Sequence, residues 1–182
     1  MSTLKRGAIV LSLVEALREH NSWCGETSIQ KATYFLKEAL KVPLDYTFVL
    51  YKYGPYSFQL TDDLTALRAD GVLDLELRDP RYAPSYFPGR MSKFIHKRMP
   101  NTIARYEKQI DFVARKLGEM NITELEKIAT ALYVLQENHR KSSKGEAHRI
   151  CDLKPHISLL EARAAINQVR KFVEEAAPVA LN

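Results

Sequence analysis

The sequence predicts an α+β chain, mainly helical with a small antiparallel β-sheet. Three observations carry that expectation. Apolar residues recur at steps of three and four over most of the chain. One short stretch near residue 50 is rich in aromatic and β-branched residues. A pair of apolar runs separated by a proline-containing turn follows between Val72 and Phe87. At 182 residues, the chain is long enough for one compact domain, or for a small domain with a helical extension.

The first helix is expected over about Lys5–His20, where Ile9, Val10, Leu13, Val14 and Leu17 share one face. Asn21-Ser22 breaks it. Thr27-Ser28-Ile29-Gln30 reads as a capping box opening a second helix, with Ile29, Ala32, Thr33, Leu36 and Leu40 inward and Pro43 beyond its end. Tyr46–Tyr53 reads as a strand. Gly54-Pro55 stops that strand and starts a third helix, which carries Leu60, Leu64 and Leu67 inward and closes at Asp70-Gly71. Val72–Leu77 and Tyr82–Phe87 read as a hairpin, with Pro84 confining the second run to an edge. Helix, helix, strand, helix and hairpin is close to the order of a winged helix-turn-helix. The hairpin would be the wing, and the module would occupy about residues 1–90.

Residues 91–182 read as a helical part packed against that module. Ile103, Tyr106, Ile110, Val113, Leu117 and Met120 form a seam for another helix. Thr123-Glu124-Leu125-Glu126 reads as a second capping box, opening a helix with Leu125, Ile128, Leu132 and Leu135 inward. A short helix runs from about Glu146 to Leu153 and stops at Pro155. Ser158-Leu159-Leu160-Glu161 is a third capping box, starting a helix with Leu159, Ala162, Ile166, Val169 and Val173 in register. The tail from Ala177 is expected to fray.

The net charge of +5 hides a polarised distribution. Asp62, Asp63, Asp70, Asp74, Glu76 and Asp79 outweigh Arg68 and Arg78. Arg81, Arg90, Lys93, Lys97, Arg98, Arg105 and Lys108 then stand against Glu107 alone, and Arg140, Lys141, Lys144 and Arg149 form a second basic cluster. The apolar stretch Ala8–Val14 is interrupted at once by Glu15, Arg18, Glu19 and His20, so it reads as a helix rather than a signal peptide. No apolar run approaches the roughly 20 residues of a membrane span. Two cysteines so far apart as Cys24 and Cys151 suit a reducing, cytoplasmic setting.

The search for chemistry returns little. His148, Cys151 and His156, with His139 upstream, are the densest cluster of ligand-type residues. Cys151 sits beside Ile150 and Leu153 at an inward position, so a buried structural thiol is the reading and no metal is expected. Cys24 precedes a helix start, where a thiol pKa can fall, yet beside Trp23 it reads as a packing residue. Asp74 and Glu76 lack the lysine of a metal-dependent nuclease. Arg90 and His96, at a spacing some ribonucleases use, fall in a loop after the wing. No phosphate loop or nucleophile elbow is present. No catalytic residue and no cofactor is assigned, and Glu26, Asp74 and Cys24 are the positions where a hydrolase or nuclease reading would be tested.

Binding is the stronger expectation. Lys93, Lys97, Arg98, Arg105 and Lys108 are candidates for phosphate contact with double-stranded DNA, with Arg115 continuing the row. The third helix argues against operator reading, because Asp62 and Asp63 beside Gln59, Thr61, Thr65 and Arg68 would repel phosphates. Tyr53, Tyr56, Gln59, Asp62 and Asp63 are therefore candidates for docking a protein, although for the aromatic group Tyr51, Tyr53 and Tyr56 a place in the core is the leading reading and an interface anchor the second. A homodimer is left open.

Gly25-Glu26-Thr27-Ser28-Ile29-Gln30-Lys31-Ala32-Thr33-Tyr34-Phe35-Leu36, followed by Tyr51-Lys52-Tyr53-Gly54-Pro55-Tyr56-Ser57, resembles the YwgA-like and phage-associated SocA-like (Panacea) antitoxin superfamily. Ala129-Thr130-Ala131-Leu132-Tyr133 and Leu153-Lys154-Pro155 resemble the C-terminal part of YwgA-like members. The resemblance implies a winged-helix fold and no catalytic residues. It also implies a non-catalytic DNA-associated regulator or antitoxin-like protein of a prokaryote or mobile element. The alternative is an adaptor that docks a toxin or effector without binding DNA.

Overall fold

The computed structural model describes residues 1–137 and 145–180. His139, Arg140, Lys141 and Lys144 lie outside the described residues. Among the described residues the chain is mainly helical, with eight helices and two small antiparallel sheets.

Helix α1 (Thr3–Glu19) is capped by Ser2, whose hydroxyl accepts the Lys5 amide. Its unbroken apolar run makes it more than one-faced. Ala8, Ile9, Val10, Leu11, Leu13 and Val14 are all buried, as expected of a helix that is apolar all round. It packs most extensively on α5 (Pro100–Leu117) and also touches α2 (Glu26–Glu38) and α4 (Ser92–Arg98).

Helix α2 spans Glu26–Glu38 and is capped by the Gly25 backbone position without a side-chain bond. The capping box expected at Thr27 and Gln30 does not form. The helix begins before Thr27, and the Gln30 amide is drawn inward: its Nε2 donates to Ser57 O and its Oε1 accepts the Ser57 amide, both at 2.9 Å. Burying a primary amide is tolerable only with such pairing.

The stretch read as one strand over Tyr46–Tyr53 folds instead as half of a tight hairpin. Strand β1 is Val49–Tyr51 and β2 is Gly54–Tyr56, paired antiparallel with Tyr51 opposite Gly54. Gly54 has a φ of +85°, which lets the chain reverse there at little steric cost. Gly54-Pro55 therefore continues the sheet, and α3 (Phe58–Ala69) starts at the Ser57 cap. Strands β3 (Leu73–Glu76) and β4 (Ser85–Pro88) form a second, separate hairpin. A single sheet is thus corrected to two. Each strand finds its partner across its own turn.

Helix α4 (Ser92–Arg98) occupies the segment expected to be a loop after the second hairpin. Pro100 opens α5, whose Tyr106, Ile110, Val113 and Leu117 are buried as the seam requires. Helix α6 (Ile122–Glu137) starts with a reciprocal box, but its members are Asn121 and Glu124, at 2.8 and 3.0 Å, two residues before the pair read from sequence. Asparagine ranks above threonine as a cap, so the stronger of two overlapping boxes is the one that forms. Helix α7 is Glu146–Leu153, and α8 is Leu159–Ala176 with the Ser158–Glu161 box formed in full. Phe172, not Val173, faces the interior of α8, meeting Phe35 and Phe112 with ring centroids 4.7 and 5.2 Å apart. The tail is held as far as Ala180: Gln109 donates to Val179 O at 2.7 Å, and both Val179 and Ala180 pack on the core. One apolar cluster runs from α1 through α5 to α8. No helix among the described residues is long and apolar enough to cross a membrane.

Candidate functional site

The hairpin β1–β2 is fastened by two buried lysines from opposite ends of the chain. Lys31, on α2, is 2% exposed. Its ammonium donates to Pro55 O at 2.8 Å. Lys154, just past α7, is buried too and donates to the carbonyls of Tyr51 and Lys52. It also lies 3.0 Å from Glu126 Oε1 on α6, a charge contact without the alignment of a hydrogen bond. Burial pushes the Lys31 ammonium down to about 8, with Glu126 opposing the shift and Lys154 adding to it. Helix α6 closes the back of the turn, because a Cβ on Gly54 would lie 3.2 Å from Thr130 Oγ1. Charged donors on backbone carbonyls make stronger bonds than neutral ones, so the hairpin is rigidly placed.

On its outer side this clamped hairpin presents aromatic rings to solvent. Tyr51 and Tyr53 do not join the core as expected: Tyr51 is 57% exposed, Tyr53 47% and Phe58, the first residue of α3, 59%. Tyr51, Tyr56 and Phe58 form a mutual cluster with centroids 5.1 to 5.9 Å apart. Exposed Val49 lies on the same hairpin.

The five residues expected to dock a protein divide. Tyr53, Gln59 and Asp62 are exposed. Tyr56 is half-buried and its hydroxyl donates to Glu26 Oε1 at 2.9 Å. Asp63 is taken up internally: it accepts from Arg6 at 2.9 Å and from the Tyr46 hydroxyl at 2.8 Å. The two adjacent aspartates therefore differ, Asp62 facing water and Asp63 tying α3 to α1. Tyr51 and Phe58 complete the exposed group. Phe58 escapes a reading by periodicity because a helix's first residue carries no period of its own. The lysine clamp escapes it because lysine is ordinarily a surface residue. Only the structure shows that Lys31 belongs to a run, Ser28–Leu36, that is buried throughout.

The five cationic candidates lie on two successive helices. Lys93, Lys97 and Arg98 are on α4, Arg105 and Lys108 on α5, and all five are exposed. None has an acidic partner among the described residues. By contrast, Arg78 and Arg81, beside the second hairpin, pair with Glu76 and Asp79.

Residues considered for chemistry serve the fold. Cys24 is buried, its thiol is pushed up to about 12 by burial, and its carbonyl accepts the Tyr86 amide. A thiol so placed resists forming the thiolate that reactivity needs. Cys151 is only partly buried, not fully as expected. Glu26 accepts from Tyr56 and Thr61. Asp74 accepts from the Leu75 amide next to it, and Glu76 binds Arg18 and Arg78. His96 meets Glu15. Among the described residues no three His, Cys, Asp or Glu side chains gather where a metal could sit. No protein-family model matches the chain, and no curated protein matches it.

Proposed function

We propose that this protein is a non-catalytic, antitoxin-like docking module of a prokaryote or mobile element, in which a winged-helix arrangement presents the β1–β2 hairpin and the start of α3 to a partner protein. One observation carries the reading: a cluster of exposed rings stands on a turn that two buried lysines hold in place. Exposed aromatic groups of this kind are enriched at binding hot spots, and a rigid hairpin loses little further entropy on binding. Asp62 adds a negative rim. The resemblance of Gly25–Leu36, Tyr51–Ser57 and Leu153–Pro155 to antitoxin-type proteins supports the same reading, since those stretches contribute Lys31, Gly54, Pro55 and Lys154 to the clamp.

The test is purification of the tagged chain from its native host beside the double variant Tyr51→Ser, Phe58→Ser. The expected result is a stoichiometric protein partner with the native chain. Affinity should fall at least tenfold in the variant, since a hot-spot side chain is worth about 2 kcal/mol or more. Full retention of the partner by a folded variant would sink the reading.

A second reading has its own support, the uncompensated cations of α4 and α5. They favour DNA association through phosphates, by these helices rather than by α3. Charge reversal of Lys97, Arg98 and Arg105 should abolish a steeply salt-dependent affinity for nucleic acid. Unchanged retention on DNA at low salt would remove it.

A further inference from the structure

The cationic face carries one side chain that phosphate contact does not require. Phe94 stands on α4 between Lys93 and Lys97, and it is 53% exposed. At about 100° per residue, Lys93, Lys97, Phe94 and Arg98 fall in that order within an arc of about 140° on one side of α4. Ile95, outside that arc, is the buried residue of the helix. The ring is therefore flanked by cations on both sides and has no aromatic neighbour within stacking range among the described residues. Beyond the elbow at Met99, Arg105 and Lys108 extend the exposed positive charge along α5.

Resting on the nucleic-acid reading above, we infer that this face binds single-stranded nucleic acid, with Phe94 as a stacking platform for an unpaired base and the flanking cations on the phosphates. A duplex offers phosphates to the cations but keeps its bases stacked on one another, leaving the ring unused. A single strand offers both, and ring-on-base stacking beside a positive track is the common chemistry of sequence-tolerant single-strand binding. The uncompensated charge calls for a polyanion, and the lone ring within it selects one with free π faces.

The experiment is fluorescence anisotropy of the full chain with a labelled 20-nucleotide oligothymidine and with a 20-base-pair duplex, each over a salt series. The expected result is tighter binding of the single strand. Phe94→Ala should lower that affinity about tenfold while leaving the salt slope unchanged, and Phe94→Trp should restore it. Lys97→Glu with Arg98→Glu should flatten the slope by about 0.7 for each phosphate that is no longer neutralised. Binding to neither oligonucleotide overturns both the nucleic-acid reading and the inference. Equal or tighter duplex binding, indifferent to Phe94→Ala, overturns the inference alone. Binding to phosphatidylserine vesicles without binding to the oligothymidine also overturns it.

Discussion

Lys31 shows what one buried ammonium does to this protein. Its ordinary pKa is near 10.5, and burial lowers it to about 8. The unfolded chain thus holds the proton through a range in which the folded protein has released it, and stability rises with pH wherever the unfolded state binds more protons. Below about 8 the charged form is present in both states and its desolvation cost is borne in full. As pH climbs from about 8 towards 10.5, that cost is progressively relieved. Denaturant melts of the native chain and Lys31→Met across pH 7 to 10 should show the difference between them moving in favour of the native chain. A pH-independent difference would mean that the ammonium is not desolvated. Lysine at this position is legible as a lysine in the sequence and as nothing more. Its burial follows from how α2 is surrounded.

At the scale of elements, α8 tests how far periodicity can be trusted. The heptad-like spacing predicts Val173 inside, one residue away from the position that is buried. Both residues are apolar, and the choice falls to Phe172 because its ring fits between Phe35 and Phe112. Phe172→Ala should therefore cost about 3–5 kcal/mol, as large aromatic truncations in a core do. Val173→Ala should stay within about 0.5 kcal/mol, as surface changes do. Thermal melts of the two variants decide the register, and comparable losses would overturn it. The same logic governs the helix starts. Ser158–Glu161 is readable because no other cap competes nearby. At α6, Asn121 and Thr123 both offer acceptable boxes, and at α2 the Ser57 backbone claims Gln30 before it can cap.

Over the whole molecule, the two halves of the chain are joined through α1 and α5, which share the interior. Their ends meet so closely that a Cβ on Gly118 would lie 2.4 Å from the His20 carbonyl oxygen. Gly118→Ala should force these helix ends apart and destabilise the fold by about 1–3 kcal/mol, the usual cost of overpacking. A variant as stable as the native chain by denaturant melt would show that this junction is soft. The aromatic hairpin depends on the same long-range assembly, since its clamp draws Lys31 from the second helix and Lys154 from beyond the seventh.

The sequence alone determined most helical periods, though not α4 or the last turn of α8, together with the second hairpin, the Ser158 cap and the row of cations from Lys93 to Lys108. These rest on local patterns of polarity and on residues whose preferences act within a few positions. The tertiary structure alone decided that β1 turns back on β2 and that Asp63 binds Arg6 while Asp62 stays in water. It also decided that two lysines lie inside and several aromatic rings outside. Each of those outcomes depends on which distant group supplies a carbonyl, a guanidinium or a wall of side chains, and partners so remote in the chain leave no period to read.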